Sequence, residues 1–229
     1  MKYTPRTIAF LCDLIHPPMA PDSRAIQRLH NGQFEKVDPV YKSYNVTAEG
    51  ALLSNPVSAP NANSSVAFLA DRIRFREELS GLTVESFAER VRTVCEEVVQ
   101  LVPLQLFTAQ QVTVRTLINP RHFPDSREFI KAGIFGFGSE MSEFGRDPQL
   151  YGMRLVFPPS PGDPNAHALR IESFNSDTRS VFVENQATFG PTVLQNGLAP
   201  VEANVHVAYQ FVVERALKFL SHFDATQEV

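Results

Sequence analysis

Residues 66–76, Val66-Ala67-Phe68-Leu69-Ala70-Asp71-Arg72-Ile73-Arg74-Phe75-Arg76, open the segment on which the reading of this chain turns. Leu69, Asp71, Ile73 and Phe75 alternate there with Arg72, Arg74 and Arg76, the two-residue period of a half-buried strand. Residues 84–102 follow with Val84, Phe87, Ala88, Val91, Val94, Cys95, Val98, Leu101 and Val102 at three- and four-residue steps, which is the stripe of a helix lying on a sheet. Thr83 stands at the N-cap position, Leu82 and Phe87 bracket it as a hydrophobic staple, and Pro103 ends the helix. Val112, Val114, Thr116 and Ile118 then alternate with Gln111, Thr113, Arg115 and Leu117, a β-branched run that suits a strand. The spacing predicts a β–α–β block over 65–118.

On the N-terminal side, 7–15 is apolar on both faces and reads as a strand covered from two sides. The proline-rich stretch 16–21 must be a loop. Asp22 or Ser23 caps a short helix with Ala25, Ile26 and Leu29 inward and Gly32 as its stop. A strand is expected near 41–48, and the Pro/Asn/Ser-rich segment 55–64 is expected to be a loop. The resulting order β, α, β, β, α, β is that of a ferredoxin-like α+β sandwich. Both helices would lie on one sheet face, and the other, with Phe10 and Phe68 expected on it, is too apolar to leave in water. The second half of the chain is expected to cover it.

That second half begins with a connector over 124–149. Asp125 and Glu128 have capping-box spacing ahead of Phe129 and Ile130, so a short helix starts there. Gly133, Gly136 and Gly138 follow a helix rather than precede one, the reverse of a phosphate-cradling loop. Strands are expected at 152–157, 166–174 and 180–189, then a helix over 201–223. Its inner face would be Val205, Ala208, Tyr209, Val212, Ala216, Phe219, Leu220 and Phe223, with Glu214 and Lys218 paired outside; residues from 224 onward are expected to fray. The expected division is a ferredoxin-like half over 1–123, the connector, and an antiparallel β-β-β-α half over 150–229 packed against the first.

The 229 residues are 43% hydrophobic and 20% charged, ordinary for a globular chain, and the net charge of −4 argues against bulk nucleic-acid or anionic-membrane binding. Cys12 and Cys95 fall on apolar positions and read as buried thiols. No run reaches membrane-spanning length and the N-terminus lacks the pattern of a signal peptide; the cytoplasm is the expected compartment.

The layout also resembles a family of sporadically distributed bacterial proteins of unassigned function. The likeness rests on the strand ending Asp71-Arg72-Ile73-Arg74-Phe75, the helix after it, the run Thr113-Val114-Arg115-Thr116-Leu117-Ile118-Asn119-Pro120 with Arg115 four residues before Asn119, and the three-strand-plus-helix ending. The resemblance implies no activity and no catalytic residue.

Arg72, Arg74, Arg76 and Arg115 are the leading candidates for a site. If their strands are neighbours, the guanidinium groups line one surface that suits an anionic small molecule or an acidic partner; the plainer reading pairs them with Glu77, Glu78 or Glu172. Arg154, Arg170, Glu172 and Glu184 read as cross-strand charge pairs. Asp13, His16, Arg154 and Glu172 are the residues from which a cleft between the halves would draw acid–base chemistry. The six histidines have no ligand spacing, Cys12 lacks the setting of a thiolate, and RNA binding would rest on Phe75 beside three arginines. No catalytic residue, cofactor or metal is assigned. The expected function is non-enzymatic binding or assembly through a sheet surface or edge, with a second copy of the chain, another protein or an anionic small molecule as partner and no membrane. The competing expectation is a small-molecule enzyme with its site between the halves.

Overall fold

Ala70 and Asp71 reverse the chain where the sequence pattern predicts one continuous strand: Leu69 N–H donates to Arg72 O (2.9 Å) and Phe68 pairs with Ile73. The computed structural model describes residues 3–36, 38–57 and 59–224. The first part of the chain forms β1 (Arg6–Ile15), α1 (Ser23–Phe34), β2 (Ser43–Val46), β3 (Ala51–Ser54), β4 (Asn63–Phe68), β5 (Arg72–Glu78), α2 (Val84–Val98), β6 (Leu106–Phe107) and β7 (Ala109–Ile118). After a short helical segment, α3 (Ser126–Glu128) continued by a π-helical turn over Phe129–Ile134, come β8 (Gly152–Phe157), β9 (Ala166–Ser173), β10 (Val181–Phe189) and β11 (Thr192–Val193). The chain ends in α4 (Ala199–Gln210), a π-helical turn over Phe211–Ala216, and α5 (Leu217–Ser221).

The architecture is α+β, built on an antiparallel sheet of nine strands in the order β2-β3-β4-β5-β1-β7-β10-β9-β8, with β6 and β11 as a separate small pair. The sheet is one-sided. Phe10, Cys12 and Leu14 of β1, Ile73 and Phe75 of β5, and Val112 and Val114 of β7 are buried beneath the helices. The Phe10 ring stacks on Phe87 of α2 at 5.2 Å and meets Tyr209 of α4 at 6.1 Å. Both long helices therefore lie on the same face. The C-terminal half does not cover the second face of the sheet, as the sequence suggests; it extends the sheet sideways through β10–β7 pairing. Phe10 and Phe68 need no such cover, since both sit on the helix side.

Local signals hold where a cap decides them. Thr83 Oγ1 accepts from Ser86 N–H (3.2 Å), Asp22 Oδ1 from Ala25 N–H (2.9 Å) and Asp125 Oδ1 from Glu128 N–H (2.8 Å). Gly32 does not stop α1, which runs on to Phe34 and buries Gln33. β3 falls where no strand is expected. It follows a turn in which Thr47 N–H donates to Gly50 O (2.8 Å), and a Cβ on Gly50 would stand 2.0 Å from Phe68 O, so only glycine admits this approach to β4.

Buried amides pin the C-terminal helix to the sheet. Gln110 of β7 donates to Val201 O (2.9 Å) and accepts from Asn204 Nδ2 (2.8 Å); Asn185 of β10 donates to Ala208 O (3.0 Å). The π-helical turn that follows bonds Leu217 N–H to Val212 O. It admits one extra residue, which rotates what comes after it. Leu217 becomes buried beside Leu220, which is inward as expected, while Phe219, also expected inward, is exposed. The same widening takes Glu214 and Lys218 out of helical (i, i+4) register, and no ion pair joins them among the described residues. Asp224 is buried and accepts from Arg121 and His122 N–H; the rest of the expected frayed end, 225–229, lies outside the described residues.

His167 of β9 is buried, stacks on Phe211 at 3.9 Å and lies 3.3 Å from Asn185 Oδ1. Burial holds its imidazole below the ordinary value of 6.5. A histidine with a depressed folded value stabilises the fold above its unfolded value, and that contribution is lost as pH falls through the folded one. Denaturant titrations should show stability falling as the pH drops below about 6.5, with a smaller fall in His167→Gln.

Candidate functional site

The uncovered face of the sheet carries the sequence-predicted cluster. On β5 the even positions Arg72, Arg74, Arg76 and Glu78 point away from the helices, as do Ala9, Leu11, Asp13 and Ile15 of β1, and Arg115 of β7. The structure brings all four candidate arginines to this face and gives each a carboxylate. Arg74 clamps Asp13 through Nε–Oδ1 (2.8 Å) and Nη2–Oδ2 (3.1 Å). Arg72 bonds Asp71 (2.7 Å) and reaches Asp13 (3.4 Å). Arg76 bonds Glu78 (2.7 Å), and Arg115 bonds Glu184 (2.6 Å) and Glu78 (3.2 Å). The ladder continues into the later strands, where Arg170 lies 3.4 Å from Glu184 and 3.7 Å from Glu172 while packing on the Phe182 ring at 5.0 Å.

This arrangement answers the anion reading. A bare guanidinium group would attract a phosphate or carboxylate, but these four already have internal acceptors. Ion pairing with Asp71 and Asp13 raises Arg72, and the Arg72 bond lowers the Asp71 carboxyl. A groove of about 790 Å³ runs along the same face between Ile8, Leu79, Arg115, Leu117, Arg170 and Phe182. Of its arginines, Arg115 and Arg170 are the paired ones, and the exposed Arg6 lies 3.9 Å from Asp177. Glu77, expected as a partner on this face, points to the helix side instead and bonds Arg90. Phe75 is fully buried there too, so it offers no ring for a base to stack on.

The cleft candidates do not converge. Asp13 is registered through Gln111 and Thr188 to Ala166, whereas Glu172 lies six residues further along the same strand. Asp13 and Glu172 are thus three strands apart across the sheet, about 14 Å, and about 20 Å apart along it. His16 is buried, its Nδ1–H donating to Pro17 O (2.9 Å). Arg154 stands on the edge strand β8 opposite Arg170. The groove described above does draw its lining from both halves, but none of these four residues is among its lining. Burial pushes the Cys12 thiol up to about 12, ahead of a Gln110 contact that favours the thiolate, and raises Cys95 as well.

The face ends at β8. Among the described residues this outermost strand, Gly-Met-Arg-Leu-Val-Phe, pairs only with β9. Val156 on the uncovered face is 65% exposed and Phe157 is 41% exposed, and Arg154 is the strand's one charge. The opposite edge, β2, is four residues long. An unpaired edge with exposed apolar side chains is the arrangement that sheets otherwise blunt with charge or proline. Sequence reasoning placed this strand but not its edge position, which follows from β10 pairing with β7.

No helix among the described residues is long and apolar enough to cross a membrane, and no group of three or more His, Cys, Asp or Glu there is arranged to hold a metal ion. Compared with known proteins, the chain matches no family model, and no curated protein matches it in sequence.

Ala9 lies under the Arg115–Glu78 bridge: both residues are its cross-strand neighbours, one on each side of β1. Ala9→Leu should therefore break the bridge and cost about 1–3 kcal/mol by overpacking, read as a lower midpoint in urea denaturation.

Proposed function

We propose that the protein works by binding and assembly, and that β8 is the edge through which it associates with a second copy of itself. We read β1, α1, β4, β5, α2 and β7 as a ferredoxin-like unit, since these strands lie side by side in the order β4-β5-β1-β7, with the β2–β3 hairpin inserted at its margin. β8 to β10 then carry that unit's sheet outward to the associating edge.

The observation that supports this reading is the exposure of Val156 on one face of β8 and of Phe157, edge-on to Phe211 at 5.5 Å, on the other, with no strand outside β8 among the described residues. Two β8 strands placed antiparallel about a two-fold axis continue the pattern of every other pairing in the sheet. Main-chain hydrogen bonds would supply the affinity, as in strand addition generally, and the two apolar side chains would leave water. The paired charges of the open face favour the same conclusion: with its arginines neutralised, that face has little long-range pull on a small anion and serves better as a stiff platform.

Analytical ultracentrifugation tests the reading. Wild-type protein should sediment as a dimer, and Val156→Lys, which places a charge on an exposed position, should sediment as a monomer with an unchanged circular dichroism spectrum. A wild type that stays monomeric at every concentration up to the millimolar range would sink the proposal.

A further inference from the structure

The main-chain groups of β8 have a fixed phase. Ser173 N–H donates to Tyr151 O (2.9 Å) at the end of the β8–β9 ladder and in its register, so Met153, Leu155 and Phe157 turn their amides to β9. The N–H and C=O groups of Gly152, Arg154 and Val156 therefore point outward. All three residues are exposed, with Arg154 and Val156 on the uncovered face. Arg154 is the exception among the arginines of that face. It lies opposite Arg170, which already has Glu184 and Glu172, and among the described residues no carboxylate pairs with Arg154.

Given association through β8, the reading proposed above on which this site rests, symmetry decides which residues meet. A two-fold axis normal to the sheet sets residues of the same face opposite each other, so it passes through one residue of the strand. Only an axis at Arg154 pairs all three outward residues: Arg154 meets its own copy, and Gly152 meets Val156 of the partner. An axis at Met153 leaves Val156 without a partner in the strand. One at Leu155 or Val156 brings in Pro158, which has no N–H to give.

Two unpaired guanidinium groups then stand across the axis from each other, their Cα atoms about 5.5 Å apart, on a strand that holds no carboxylate. Like charges directly opposite work against the pairing. We propose that Arg154 and its copy form a binding site for a phosphate dianion, free or as a monoester, which bridges the two chains and tightens their association. Each guanidinium group presents N–H donors in a plane that matches phosphate oxygens. Two arginines and a dianion sum to zero, whereas chloride leaves one charge uncompensated and accepts no bidentate bond. The site is incomplete in one chain, because a single exposed ion pair is worth little in water.

Sedimentation of the full chain at about pH 8, where phosphate is mainly dianionic, reads this coupling in chloride, inorganic phosphate and glycerol phosphate at equal ionic strength. Millimolar phosphate should lower the dimer dissociation constant by about tenfold relative to chloride. A larger effect of inorganic phosphate marks the free anion as the ligand, and a larger effect of glycerol phosphate marks a monoester. Arg154→Gln should dimerise at least as well as wild type in chloride and lose the phosphate response. Under mild oxidation Arg154→Cys should form a disulfide-linked dimer, since its opposed Cα atoms are within bridging range. Leu155→Cys, diagonal to its copy at about 7–8 Å, should not; the native Cys12 and Cys95 are buried and free. A wild-type dimer indifferent to phosphate, a phosphate response kept by Arg154→Gln, or cross-linking through Leu155→Cys in place of Arg154→Cys would overturn this site and leave association through β8 standing. A chain that stays monomeric in phosphate as well as in chloride overturns both.

Discussion

The packing of two helices on one face of β1 is the contact on which the rest depends. Phe10 is stacked on Phe87 from α2 and touched by Tyr209 from α4, so a single side chain joins helices from the two halves. Cys12 and Leu14 continue the same row into the centre of the core. Each large side chain fully withdrawn from water along it contributes about 1.5–3 kcal/mol. β1 also has strands bonded on both sides, β5 and β7, so its register sets theirs. With every long helix on that face, the opposite one is left to long polar side chains.

Apolar burial sets the layers, and buried amides set how the helices sit on them. Gln33 donates to Glu97 (3.0 Å) and ties α1 to α2. Gln110 and Asn185 hold α4 to β7 and β10 through backbone carbonyls that would otherwise compete for partners within the helix. A hydrophobic stripe tolerates sliding and rotation; a hydrogen bond about 3 Å long does not. The π-helical turn just beyond Ala208 depends on this fixity, because it changes which side chains face the sheet partway along one helix. A buried polar group left unsatisfied would be a defect, whereas these are paired and specify one arrangement.

Much of the fold was legible in the sequence because periodicity and capping are local. β7, β8, β9 and α2 could be drawn from alternation, stripe width and a threonine cap. The hairpin at Ala70–Asp71 was hidden for a physical reason: it turns without glycine, proline or asparagine. Its trace is a slip in phase. Val66 and Phe68 are buried at even positions and Ile73 and Phe75 at odd ones, which one uninterrupted strand cannot achieve. β3 was hidden by its brevity, and the need for glycine at position 50 comes from β4, a partner distant in sequence. Strand phase puts the four arginines on one face, but their strands are not the neighbours expected, since β1 stands between β5 and β7; Asp13 and Glu184 as acceptors come from strands whose order no local pattern encodes. Glu77 was assigned to the wrong face; in the structure it alternates with Glu78, and that single step separates a surface ion pair from a buried one.

The contrast between these two glutamates explains how one strand serves two environments. Glu78 shares two arginines, Arg76 and Arg115, on a face that water reaches, where each bridge is worth little and the set as a whole stiffens the sheet. Glu77 is buried on the helix side, where burial raises its carboxyl and Arg90, Ser64 and Ser80 oppose that rise. The first arrangement is saturated, and a ligand would have to break pairs to enter it. The second is closed off inside the core. On the proposed reading, the open face acts through its shape, its stiffness and its unpaired edge, since both kinds of ion pair are already satisfied within the chain.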